Sequence, residues 1–298
     1  MVFEPLSFSH KTAVDALTAK YGEGSCQHSF VTLYSLQEKY GDTACIEDGT
    51  LYVRREKLCT DALSVCLLPL GAAEPEQSVG RLLEDAHRRG TRLRFFTATE
   101  RAAQTLREIF PGRFTYEENR DYAEYLYDTR RLAGMSGPEL SKKRSNLRRF
   151  YRSCPGELRT EALESARFPD VYAFLDNWLA QNMEDHDAHA LRRERKSIEM
   201  QLNHFEDFRL RGVVVYIDGK LCGFAYGTPL SDTVFDGLVM KGDRSVCQLG
   251  VLLYREMALR CGCALLNAEE DLGIPGLRES KLSYHPDRLL KKYVITEV

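Results

Sequence analysis

The sequence predicts a mixed α/β (α+β) fold built as two similar halves. Short apolar or alternating runs of strand length take turns with amphipathic runs of helix length, and the order strand, helix, strand recurs in both halves. A basic, Gly- and Pro-bounded stretch separates them. At 298 residues, 43% of them hydrophobic, the chain can furnish a core for each of two ordinary domains, expected at 1–135 and 136–298.

In the first half, "LSVCLLPL" from Leu63 to Leu70 is an apolar run bounded by Gly71 and acids, and reads as a buried strand. From Ser78 to Arg89, the stripe Val79, Leu82, Leu83 and Ala86 predicts a helix stopped by Gly90. "TRLRFFTA" predicts a second strand, and "TERAAQTLREIF" a helix capped by Thr99 and ended before Pro111. The alternating aromatics of "RFTYEENRDYAEYLYDT" close this half as strand.

The second half opens with "GMSGPELSKKRSNLRRFYRSCPG". Here a helix from about Glu139 to Arg152 carries Lys142, Lys143, Arg144, Arg148, Arg149 and Arg152 against Glu139. In a chain of net charge −3 that is a local patch. Leu140, Leu147, Phe150 and Tyr151 give the helix an apolar side to dock, leaving a basic face open. "GVVVYIDGKLCGFAYGTPL" predicts a hairpin, Val213 to Ile217 and Leu221 to Tyr226 around Asp218-Gly219. "DTVFDGLVMKGD" reads as strand, the run ending at Gly262 as helix, and "CALLNAEE" as the next strand.

Several function classes are disfavoured. The pI near 6.2 argues against a generally basic nucleic-acid coat protein. Nine scattered cysteines without C-x-x-C spacing read as reduced, mostly buried thiols. No signal peptide is legible at the N-terminus, and the longest apolar region, Ala62 to Ala73, is too short for a bilayer span of about 20 residues. The expected location is the cytoplasm. Glu184, Asp185, His186, Asp187 and His189 lie close together, but their spacing fits no common ligand set; a solvated connection is expected and no metal.

The stretch "NAEEDLGIPGLRESKLSYHP", Asn267 to Pro286, lacks the apolar rhythm of a merely structural element. It begins at the carboxyl end of a predicted strand, where α/β sheets commonly bind ligands. One carboxylate of Glu269, Glu270 and Asp271 could deprotonate or orient an acceptor, or bind the cationic group of a donor. The same acids could instead cap the next turn, Asp271 above all. Gly273 and Gly276 allow a tight turn whose N–H groups could face an anion. Arg278 and Lys281 would share a helix face suited to a phosphate or oxyanion, or pair with the acids. Tyr284 could donate a proton to a leaving oxygen, or be buried with its hydroxyl satisfied. Asn267 and Ser283 complete the candidate substrate-binding set.

The repeated element order resembles the GNAT fold, here twice in tandem. The blocks "NRDYAEYLYDTRRLAGMSGPELSKKRSNLRRF" and "NAEEDLGIPGLRESKLSYHPDRLLKKY" are similar to those of the phosphatidylglycerol lysyltransferase C-terminal domain family. That family has tandem GNAT domains related to the Fem-type peptidyltransferases. The resemblance implies an aminoacyl-tRNA-dependent transferase with no cofactor, acting on a lipid hydroxyl or a small amine or alcohol by direct attack on the activated ester. Lys142, Lys143, Arg144, Asn146, Arg148 and Arg149 are then the candidate tRNA phosphate contacts, with a solvated helix face as the plain alternative. The chain lacks the multi-span segment of the membrane enzymes, so a lipid acceptor is less expected, although work at a membrane surface is compatible. An acyl-CoA-dependent N-acyltransferase is the competing enzyme reading, but "DRSVCQLGVLL" has Cys247 and Leu249 where a cofactor loop would carry glycines, and only Gly250 remains. A non-catalytic tandem-GNAT protein that binds a small ligand or RNA is the third.

Overall fold

The computed structural model describes residues 1–182 and 188–298. They gather into two compact units. The first comprises Met1–Tyr125, Glu270–Arg278 and Arg288–Val298, and the second Leu126–Glu269 and Glu279–Asp287. Glu184, Asp185, His186 and Asp187 lie outside the described residues, whereas His189 is in the helix Ala188–Asn203.

The sheet of the first unit runs Glu4–Pro5, Asp42–Glu47, Thr50–Arg55, Leu63–Cys66, Arg92–Thr99, Lys292–Glu297, Phe114–Glu118. Leu63–Cys66 and Arg92–Thr99 are parallel, joined by the crossover helix Pro75–Arg88. That helix buries the expected stripe, Val79, Leu82, Leu83 and Ala86, against Tyr52, Leu93 and Phe95. The helix Glu100–Ile109 follows, with the Thr99 side chain accepting the Ala102 N–H as its cap.

The second unit repeats the plan. From Glu124–Asp128 onward, its sheet continues through Leu265–Asn267, Val234–Gly242, Lys220–Pro229, Arg211–Ile217 and Leu158–Ala162. The parallel pair is Val234–Gly242 with Leu265–Asn267, joined by the helix Leu249–Arg260. The hairpin turns at Asp218 and Gly219, both at positive φ (50° and 75°), as a two-residue turn between twisted strands requires.

In each sheet an antiparallel strand lies beside the second parallel strand, but its origin differs. In the first sheet it is the chain's last strand, Lys292–Glu297, set between Arg92–Thr99 and Phe114–Glu118. In the second it is Glu124–Asp128, which sequence order assigns to the first half. The compact units therefore differ from a linear division at residue 135. The aromatic stretch expected as one closing strand is two strands, Phe114–Glu118 and Glu124–Asp128, belonging to different sheets.

All nine cysteines are free thiols, and Cys247 is the exposed one. No helix among the described residues is long and apolar enough to cross a membrane.

Candidate functional site

The Asn267–Pro286 stretch starts where strand Leu265–Asn267 runs out. Asn267 is fully buried, and its Oδ1 accepts the Glu269 N–H at 2.8 Å, which holds Glu269 at φ 55° just past the strand end. The Lys281 ammonium, also buried, donates to the Ala268 carbonyl at 2.5 Å, while the Lys281 carbonyl accepts the Tyr127 hydroxyl at 2.8 Å. Lys281 thus ties the helix Pro275–Leu282 to the backbone leaving the strand. Ser283 Oγ donates to the Ser280 carbonyl at 2.5 Å. Tyr284 is buried with its ring 4.3 Å from that of Tyr254 and 6.4 Å from that of Tyr127. Burial pushes the Tyr284 phenol far above its ordinary range, so it keeps its proton.

Other residues of the block belong to the first unit, where Asp271 organises them. Its carboxylate is fully buried and accepts from Arg278 Nε at 3.0 Å and Nη2 at 2.7 Å, from Arg120 at 3.1 Å, from the Gly273 N–H at 2.9 Å, and from the Tyr125 hydroxyl. Although burial alone would raise its pKa, these donors hold it far below the usual carboxylate range. Arg278 also reaches Asp121 at 2.6 Å. A carboxylate so fully engaged is an anchor, and it leaves Arg278 little freedom to bind a substrate. Gly273 sits at φ 75°, and a Cβ there would meet Asp121 Oδ2 at 2.8 Å; a Cβ on Gly276 would point into open space. Only the first glycine is required by the backbone.

Glu270 is half-buried, and the Cys26 thiol donates to its Oε2 at 3.9 Å. Its charge adds to the burial that raises the pKa of Tyr40 and Tyr122. Glu124 and Lys292, far apart in sequence, form a fully buried ion pair at 2.6 Å, with Ser25 Oγ and the Cys26 N–H also donating to Glu124 at 2.8 and 3.0 Å. The first unit also holds a cavity of about 650 Å³ lined by His28, Ser25, Leu68, Thr97, Thr99 and Arg101 among others. His28 Nε2 lies 2.8 Å from the Leu68 carbonyl, to which it donates. Burial, aided by the Lys292 and Arg55 charges, pushes the imidazole down to about 4, so it is neutral at pH 7. Thr97 adopts φ 61°, a strained conformation for a β-branched residue, and its hydroxyl donates to Gln27 at 3.1 Å. Sequence reading passed over His28, Cys26 and Thr97. Cys26 and His28 lie in an unpatterned stretch and Thr97 near the end of a predicted strand, and only folding brings them to charges distant in sequence.

The basic helix spans Ser141–Ser153. Lys142, Arg148, Arg149 and Arg152 are exposed and fall within about a third of its circumference. Arg149 also donates to Asn146 Oδ1 at 2.8 Å. Arg144 is turned back onto the helix's own approach, donating to the carbonyls of Gly137 at 2.8 Å and Met135 at 2.5 Å. Lys143 leaves the open face altogether: its Nζ lies 3.8 Å from the centre of the Tyr284 ring.

Comparison with known proteins fits this architecture. The chain matches the family described as phosphatidylglycerol lysyltransferase, C-terminal, over residues 18–296. A crystal structure of a conserved protein of unknown function from Bacteroides thetaiotaomicron VPI-5482 is 26% identical over 99% of each chain, with a TM-score of 0.91. L-PGS from Bacillus licheniformis superposes with a TM-score of 0.65 at 13% identity, over 98% of this chain and 92% of that one. FemX gives 0.52 at 11% identity, over 99% and 97%. At such identities the last two speak for the fold. Uncharacterized protein MYCGA3080 of Mycoplasmoides gallisepticum (strain R(low / passage 15 / clone 2)) is 23% identical over 176 residues, 57% of this chain, and the match spans about half (55%) of that relative's length. With two GNAT-like sheets and a match that runs nearly from end to end, the chain belongs to the phosphatidylglycerol lysyltransferase C-terminal family.

Proposed function

We propose that this protein is a transferase that takes an aminoacyl group from aminoacyl-tRNA and passes it to a hydroxyl or amine acceptor, working in the cytoplasm without a cofactor. One observation carries the donor assignment. Lys142, Arg148, Arg149 and Arg152 form an exposed cationic face on one helix, and no ion pair to a carboxylate is found for any of them among the described residues. Such a face suits successive phosphates and reads no sequence. Membership of a lysyltransferase family supports group transfer.

In the reaction, the acceptor oxygen or nitrogen attacks the ester carbonyl, a new C–O or C–N bond forms, and the bond to the ribose oxygen of the tRNA breaks. Glu269 or Glu270 takes the acceptor's proton; Asp271 and Lys281 act by holding the backbone that presents them. The protonated base returns that proton to the leaving ribose oxygen; Tyr284, buried and protonated throughout the neutral range, serves packing rather than proton transfer. Leu272, Ile274 and Leu277 are exposed and give the block an apolar surface that a lipid acceptor could use.

The test is binding of charged tRNA between 50 and 200 mM salt by wild type and by a variant with Lys142, Arg148, Arg149 and Arg152 changed to Gln. Four lost phosphate contacts should reduce the salt slope by about 3. An unchanged slope removes the helix from the donor site. Binding of acetyl-CoA without tRNA overturns the reading in favour of an acyl-CoA enzyme.

A further inference from the structure

Lys143 sits within the basic run but occupies different surroundings. Lys143, Leu147 and Phe150 follow one another at i, i+4 and i+7, so they share the docked face of helix Ser141–Ser153. Phe150 is buried and Lys143 half-buried. The ammonium rests over the ring of buried Tyr284, itself packed on Tyr254. Among the described residues Lys143 makes no hydrogen bond and no ion pair.

Among the described residues, the charged groups around it offer no anion. On its own helix the neighbour is Lys142, and Arg144 is directed to the carbonyls of Met135 and Gly137. Lys281 is engaged by Ala268. Tyr254 and Tyr284 stay protonated, their phenols pushed up by burial. On the helix Leu249–Arg260, which packs against this one, Glu256 is held by Arg255 and Arg260.

We infer that Lys143 is an activated amine, the site on this chain that captures acyl groups from activated donors such as acyl phosphates, thioesters or aminoacyl esters. The inference does not rest on the transferase reading. A lysine becomes nucleophilic near neutral pH when it is desolvated or set beside another cation, and Lys143 has both conditions. Burial, helped by Lys142, lowers its pKa to about 8. The aromatic face favours the ammonium and offsets part of that effect. At pH 7.5 the neutral fraction is about two hundred times that of an ordinary lysine. If reactivity falls with basicity as it does for thiols, roughly a tenfold advantage remains.

In the reaction the neutral amine attacks the acyl carbon and a C–N bond forms. The bond from that carbon to the phosphate oxygen, thiol sulfur or ribose oxygen breaks, and the leaving group departs with its electron pair. The nitrogen then loses a proton to water, leaving a neutral amide. No oxidant or reductant is needed.

The test uses the full chain with limiting acetyl phosphate from pH 6.5 to 9.5, read residue by residue by mass spectrometry. Lys143 should acetylate about tenfold faster than Lys142 at pH 7.5, with a midpoint near pH 8. Lys142→Gln, a change at an exposed position, should slow Lys143 at pH 7.5 by raising its pKa. Equal rates at Lys142 and Lys143, a midpoint near 10, or indifference to Lys142→Gln would each overturn the inference.

Discussion

Replacing Asp271 by Asn tests whether the most acidic stretch of the chain acts by structure or by chemistry. The carboxylate is fully buried, with Arg278 on both oxygens and Arg120, Tyr125 and the Gly273 N–H completing its shell. An Asn amide keeps the shape, but it loses the charge and turns one acceptor into a donor facing donors. Breaking a buried pair costs about 3–5 kcal/mol. Arg120 and Arg278 are each about a third exposed and retain some water, so the low end, about 3 kcal/mol, is expected. If the first unit, roughly 145 residues, melts cooperatively, its unfolding entropy of about 0.3 kcal/mol/K converts this to a fall of about 10 °C. The sign of the pH dependence follows from the depressed folded pKa. The unfolded carboxyl, near 3.9, protonates before the folded one, so Asp271 contributes its full stability above that value and loses it as pH falls further. Calorimetry and urea unfolding of both proteins should therefore show a constant deficit from pH 5 to 8 that narrows below pH 4. A loss under about 1 kcal/mol together with abolished turnover would refute the structural reading and make Asp271 a catalytic group.

The two glycines of the block should separate. Gly273→Ala, strained at φ 75° and crowded by Asp121, should cost 1 kcal/mol or more in urea unfolding, whereas Gly276→Ala, inside a helix with open space around it, should stabilise by a few tenths to about 1 kcal/mol. A Gly276→Ala variant that gains stability but loses transfer would show that a ligand approaches the backbone there. His28→Gln keeps a donor for the Leu68 carbonyl and removes the titration. With the folded pKa near 4, the unfolded imidazole takes up a proton that the folded one refuses, so wild type should lose up to about 2 kcal/mol between pH 7 and 5. The variant should lose less over that interval, and equal losses would mean that His28 is hydrated.

The local pattern of the chain determined most of its elements. The stripe Val79, Leu82, Leu83 and Ala86 dictates one helix, the Asp218-Gly219 turn one hairpin, and the basic run at 141–153 another helix, because periodicity and turn chemistry act over a few residues. The family resemblance and the interest of Asn267–Pro286 were legible for the same reason. The different position of Lys143 was partly legible as well, since its i, i+4, i+7 relation to Leu147 and Phe150 is a sequence fact, but the ring beneath it arrives from Tyr284.

Tertiary structure decided the rest. Nothing local tells Glu124–Asp128 to join the second sheet, or Lys292–Glu297 to slot between Arg92–Thr99 and Phe114–Glu118, because a strand's propensity does not name its partner. That exchange brings Lys292 to Glu124 and places Asp271 among Arg120, Tyr125 and Arg278. Whether an acid in this chain is a base or an anchor depends on the donors around it, and those come from segments far apart in sequence.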